Sequence, residues 1–178
     1  MIRLFTAIAV DAELAKMLGQ MAAGIPGARW VAPRNLHVTL RFIGDIEDGL
    51  AVELHGALAA LDLPGFDLTL DGFGTFGSRR PHTLWAGVVP EPAMDRLQAK
   101  IDTVLWHLGH KPEPRKFTPH VTLARLGGEA HLSRIQAFIA GNSPFRAGPI
   151  PVTHFTLFRS HLSRNGAEYD AVAEYGLG

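Results

Sequence analysis

Two periodicities alternate along the chain, apolar residues at every second position in some stretches and at three- to four-residue spacing in others. Residues 2–10 are apolar and partly alternating, which predicts a strand. Asp11 follows as an N-cap for an Ala/Leu/Met-rich helix ending near residues 24–26. The run LHVTLRFIG begins just after Pro33, is closed by Gly44 and Asp45, and predicts the second strand. Residues 47–61 carry leucines and alanines at helical spacing. In residues 66–76, Phe66, Leu68 and Leu70 alternate with Asp67, Thr69 and Asp71, the mark of a half-buried strand, and a GSRRPH loop follows.

The second half repeats this order. Residues 83–89 read as a strand and 91–108 as an amphipathic helix; residues 117–126 hold Pro119 and then HVTLARL, again a strand entered through a proline. A helix at 131–139, a strand at 152–159 and a closing strand at 168–175 complete it. No Ser/Gly linker or charge run separates the halves. The pattern predicts an α+β fold of two pseudo-symmetric lobes, each an antiparallel sheet with helices on its outer face and a cleft between them. It reads as one bilobal domain over residues 1–178, with an internal repeat of roughly 1–80 and 81–178 and room for strand exchange between the lobes.

Composition narrows the function. With 178 residues and 47% hydrophobic content, the chain can bury a real core. Seventeen basic residues balance seventeen acidic ones, so any nucleic-acid binding must come from a local basic patch. The absence of cysteine excludes disulfides, thiolate metal sites and a cysteine nucleophile, and fits the cytosol. The apolar start, MIRLFTAIAV, is too short to span a bilayer and lacks a small-residue cleavage site, so a strand is expected and no membrane association.

The candidate chemistry lies in the tetrapeptide HVTL, present at 37–40 and again at 120–123. In a strand, residues two apart share a face. His37 and Thr39 therefore point one way, Val38 and Leu40 the other, and the same holds for His120 and Thr122 against Val121 and Leu123. If a pseudo-two-fold axis relates the lobes, the two polar faces meet. A His-x-Thr spacing alone is weak, as His154-Phe155-Thr156-Leu157 shows; that copy lies outside the repeated position, lacks a preceding proline, and is expected to be structural or exposed.

Hydrolysis by acid/base catalysis needs a base for water, an acid for the leaving oxygen, and donors for oxygens that gain charge. Two imidazoles, with ordinary pKa near 6.5, supply the base and the acid without a metal, and two threonine hydroxyls can donate to such oxygens.

RLFTAIAV, RWVAPRNLHVTLRFIGDI, GTFGSRRPHTLWAGV, FTPHVTLARL and FTLFRSHLS resemble, in order and from end to end, blocks of the two-histidine phosphoesterases. Within that superfamily they are similar to the RNA 2′,3′-cyclic phosphodiesterases, also known as 2′-5′ RNA ligases. The resemblance implies a central cleft, no metal or other cofactor, and opening of a terminal 2′,3′-cyclic phosphate to a 2′-phosphate, with 2′-5′ ligation as the reverse activity. It also implies His37 as acid and His120 as base; the pseudo-symmetric sequence does not itself divide the roles. Thr39 and Thr122 are expected on phosphate. The expected partner is RNA with a 2′,3′-cyclic phosphate end, or a small cyclic nucleotide, bound by a monomer.

Arg125 resembles a family position for phosphate, yet strict alternation turns it away from the His120 face unless the strand bulges. Arg41 shares the face of His37 and Thr39 on the same alternation. Arg79 and Arg80 form a basic pair in a loop, able to touch an RNA backbone or simply solvated. Trp30, Phe42 and Phe76 can stack a base, with core packing as the competing role. His107 and His110, three apart at a helix end, lack a third ligand at a familiar spacing and fit the helix dipole better than a metal. Three other functions compete: a phosphodiesterase for another cyclic or 2′-5′ linked nucleotide, a non-catalytic RNA-binding module, and a metallohydrolase. Two intact His-x-Thr pairs speak against the second, since binding alone needs no acid/base couple.

Overall fold

A computed structural model describes residues 1–164 and 166–178. Nine strands and four α-helices follow in the order β1 (Ile2–Ala9), α1 (Ala12–Gln20), β2 (Ala28–Trp30), β3 (His37–Ile46), α2 (Asp48–Ala59), β4 (Phe66–Phe76), β5 (Thr83–Val88), α3 (Pro92–His107), β6 (His120–Leu126), α4 (Leu132–Gly141), β7 (Arg146–Val152), β8 (His154–Ser163) and β9 (Gly166–Gly176) among the described residues, with a 3₁₀ turn at Pro33–Asn35.

The strands run antiparallel in the order β7-β4-β5-β6-β3-β1-β8-β9, with β2 added beside β6. The ladder is continuous within β7-β4-β5-β6 and within β3-β1-β8-β9. Between β3 and β6 it is the single pair Val38↔Val121. Each side of the nine-stranded sheet thus mixes the two halves of the chain: β4 lies with β5, β6 and β7, while β8 and β9 lie with β1 and β3.

Asp11 caps α1 as expected, its carboxylate accepting from the Leu14 amide at 2.8 Å. The helix stops at Gln20, sooner than the composition predicts, because the chain must turn through Pro26 and Gly27 into β2. That three-residue strand is too short to show alternation. The single strand expected at 152–159 is two strands, with the crossing at Thr153: Val152 ends β7 on one side of the sheet and His154 begins β8 on the other. β7 carries Pro149 and Pro151 and lies at a sheet edge, where a missing amide donor is tolerated.

Helix α3 buries Met94, Leu97, Ile101 and Leu105, one helical face, and packs on β3 and α2. Val38, Leu40, Val121 and Leu123 all lie in the core, at most 5% exposed, so both HVTL strands turn their aliphatic side chains inward as their alternation requires.

Candidate active site

The cleft opens where β3 and β6 separate after Val38↔Val121. Beyond that pair β2 replaces β3 as the neighbour of β6, with Ala28↔Leu126, Arg29↔Arg125 and Trp30↔Ala124, and the Val31 amide still donates to the Leu123 carbonyl at 2.9 Å. A cavity of about 490 Å³ results, lined by His37, Thr39, His120, Thr122 and Arg125 among others.

The two imidazoles are held alike. His37 Nδ1 lies 2.7 Å from the Asn35 carbonyl oxygen, and His120 Nδ1 lies 2.7 Å from that of Thr118. A carbonyl only accepts, so each Nδ1 carries the proton and each neutral ring keeps a bare Nε2. Aromatic walls fix the rings. His37 packs against Phe5, centroids 5.1 Å apart, and perpendicular to Tyr169 at 5.4 Å. His120 stands at 86° to Phe76 with centroids 4.8 Å apart. The hydroxyls of Thr39 and Thr122 have no hydrogen-bond partner among the described residues, and both residues line the cavity, which leaves them free to donate to a ligand.

A β-bulge after each His-x-Thr decides which way the next arginine points. In β6 the register against β5 shifts between Leu84↔Ala124 and Trp85↔Thr122, so Leu123 and Ala124 are both buried and Arg125 comes out on the cleft side. There its guanidinium donates to Thr83 Oγ1 at 2.9 Å. The bulge that strict alternation would require is present. In β3 the register against β1 skips Leu40 in the same way, with opposite consequences for the expected arginine. Arg41 is turned away from His37 and Thr39 into a buried position, 2.7 Å from Asp102 and 3.1 Å from Glu113, and donates to the Lys111 carbonyl at 2.6 Å. The alternation that put Arg41 on the histidine face is thereby corrected: Phe42, 61% exposed, occupies the place in β3 that Arg125 holds in β6.

Electrostatics push both histidines toward the neutral form. Burial lowers the His37 pKa from 6.5, and the charges of His120 and Arg125 lower it further, against the Asn35 carbonyl, which raises it. Burial likewise lowers His120, with the charge of Arg125 adding to it, against the carbonyl of Thr118.

The remaining candidates divide clearly. Trp30 lines the cavity and packs on Phe138 at 5.6 Å, combining the two roles considered for it. Phe42 lines the main cavity and, with Phe76, an adjoining one of about 420 Å³ that shares Thr39, Phe42 and His120 with it. Arg79 and Arg80 are exposed on the loop before His82, outside both cavities. His154 is exposed, faces Glu174 at 3.9 Å and lines neither cavity, nor do His107 and His110 at the end of α3. Sequence reasoning missed Arg29, Arg34 and Tyr169, which also line the main cavity. Arg29 and Tyr169 enter through the sheet register, which no local pattern reveals, and Arg34 from the 3₁₀ turn just before His37.

The fold has counterparts in solved structures. E. coli LigT in apo form superposes with a TM-score of 0.80 at 29% identity, covering 99% of this chain and 97% of that one. E. coli LigT complexed with 3′-AMP gives 0.81 at 28% identity, covering 99% and 98%. The sequence agrees with the fold: the model of the 2′-5′ RNA ligase superfamily matches residues 10–164, and the chain belongs to that family. It is 32% identical over 165 residues to the RNA 2′,3′-cyclic phosphodiesterase of Aeropyrum pernix, covering 91% of this chain and 93% of that protein. It is 28% identical to that of Thermotoga maritima, covering 97% and 94%.

Proposed function

We propose that the protein hydrolyses terminal 2′,3′-cyclic phosphates of RNA to 2′-phosphates, with His120 as base and His37 as acid. The carrying observation is the matched pair of imidazoles, each with Nδ1 tied to the carbonyl two residues earlier and Nε2 left bare, in one cavity with two unpartnered threonine hydroxyls. Nε2 of one neutral ring takes a proton from water as its oxygen attacks phosphorus. The P–O3′ bond breaks, and the other ring, protonated at Nε2, gives its proton to O3′. The product is a 2′-phosphomonoester beside a free 3′-hydroxyl. Thr39, Thr122 and Arg125 donate to the non-bridging oxygens as charge builds on them.

The division of roles follows the family resemblance, since the geometry of the two rings is nearly the same. A ribose 5′-hydroxyl in place of water would give a 2′-5′ linkage with the same groups, in keeping with the family's name. Every group in this scheme comes from one chain, consistent with a monomer, and no helix of the described residues is long and apolar enough to cross a membrane. The absence of cysteine fits a reducing cytosol. The test is hydrolysis of an oligonucleotide ending in a 2′,3′-cyclic phosphate, in EDTA, with the phosphate located in the product. A 2′-phosphate formed at full rate is expected; a 3′-phosphate, or loss of activity in EDTA, contradicts the reading.

A further inference from the structure

Arg29 of β2 and Arg125 of β6 stand directly opposite each other in an antiparallel ladder. Residues so paired share a face, with Cβ atoms about 4.5–5.5 Å apart, and like charges there repel. Among the described residues neither has a carboxylate within 4.0 Å. Arg125 is anchored from its other side by Thr83, its partner on β5. Both arginines line the cavity that holds the two histidines, and the carboxylate on that wall, Glu168, faces His161 at 3.4 Å. A short strand that sets a cation against a cation, with no carboxylate paired to either, is a local conflict that an anionic ligand resolves.

The position of the pair selects the anion. The reacting phosphorus must lie between the two Nε2 atoms, beside Val38↔Val121. Arg125 lies five positions beyond His120, roughly 16 Å along the strand at 3.3 Å per residue. Its long side chain still reaches inward, since it lines the cavity together with both imidazoles. Arg29 starts from the far end of that span, out of line with the reacting phosphorus, so its charge is placed for a second phosphate of the same ligand. We propose that Arg29, paired with Arg125, seats the phosphodiester on the 5′ side of the terminal nucleotide; this inference rests on reading the cleft as a cyclic-phosphodiesterase site. The enzyme is then a reader of RNA ends that recognises two successive phosphates.

The experiment compares adenosine 2′,3′-cyclic phosphate with the same compound carrying a 5′-phosphate, at fixed low salt, in the wild type, Arg29→Ala and Arg29→Lys. In the wild type the 5′-phosphate should raise kcat/KM at least about tenfold, mainly through KM. Arg29→Ala should lose most of that gain and Arg29→Lys should keep part of it. Arg29 is exposed, so both variants should fold. No gain from the 5′-phosphate in the wild type, or a gain that survives in Arg29→Ala, overturns the inference while leaving the catalytic reading intact. An equal loss on both substrates also overturns it, because Arg29 would then act on the reacting phosphate. Failure of the wild type to open either compound or a cyclic-phosphate oligonucleotide removes the catalytic reading and this inference with it.

Discussion

Val38 pairs with Val121, and this one residue pair is the whole ladder between β3 and β6. Both are fully buried, and each directly follows a histidine. In an antiparallel register through that pair, His37 falls opposite Thr122, and Thr39 opposite His120. A crossed set of two imidazoles and two hydroxyls is the direct result of joining identical HVTL strands at their valines.

The crossed arrangement makes the hydroxyls separable from the acid/base couple. Thr39→Val and Thr122→Val keep the side-chain shape, so each should fold and lose roughly 10- to 100-fold in turnover, with weaker binding of the 2′-phosphate product. Steady-state kinetics and product inhibition measure both. Unchanged values in both variants would assign the threonines to the strands alone.

Arg125 carries a different signature. Arg125→Ala should lower kcat/KM by about 10²-fold, and Arg125→Lys by less, since a lysine keeps the charge without the fork. Because the Arg125 charge depresses both imidazoles, its removal should also move the alkaline limb of kcat/KM to higher pH. A rate loss with no movement of that limb would mean the guanidinium acts at a distance from the rings.

The free-enzyme profile has a predicted sense of its own. Both rings are pushed below 6.5 by burial and by positive charge, so both tend to be neutral near neutral pH. Catalysis needs one of them protonated. In kcat/KM, which reports free enzyme, the alkaline limb should therefore fall below the ordinary imidazole value. A bound phosphate favours imidazolium, so both limbs of kcat should lie at higher pH than those of kcat/KM. The apparent values belong to the coupled pair. Limbs that coincide in the two profiles would contradict the assigned environment.

Arg41 predicts a loss of stability, since it ties β3 to Asp102 on α3 and to Lys111 and Glu113 ahead of β6. Arg41→Met should destabilise by about 3 kcal/mol, the lower end for a broken buried pair, because Asp102 and Glu113 remain partly exposed. Denaturant unfolding measures it. A change under about 0.5 kcal/mol would show that the cluster is held by its neighbours without Arg41.

The strands, helices and facing HVTL pairs were legible because each rests on local periodicity, and the repeat brought the two motifs into equivalent places. Arg125 was reached through the family resemblance alone and Arg41 was placed on the wrong face, because a bulge after each threonine inverts the alternation that a reader of the sequence must assume. β2 and β7 escaped for other reasons: one is three residues long, and the other has two prolines that only an edge tolerates. Arg29 and Tyr169 reach the cleft through sheet pairing, which depends on the whole fold.

The central claim is that His37 and His120 act as one acid/base couple. Turnover of a 2′,3′-cyclic-phosphate oligonucleotide by His37→Ala, His120→Ala and the double variant tests it directly, with His154→Ala as the exposed control. Each single variant should lose roughly 10²–10⁴-fold, the double variant should be little worse than either, and the control should be close to wild type. A folded His37→Ala or His120→Ala that turns over near the wild-type rate, or losses that multiply in the double variant, would contradict the account.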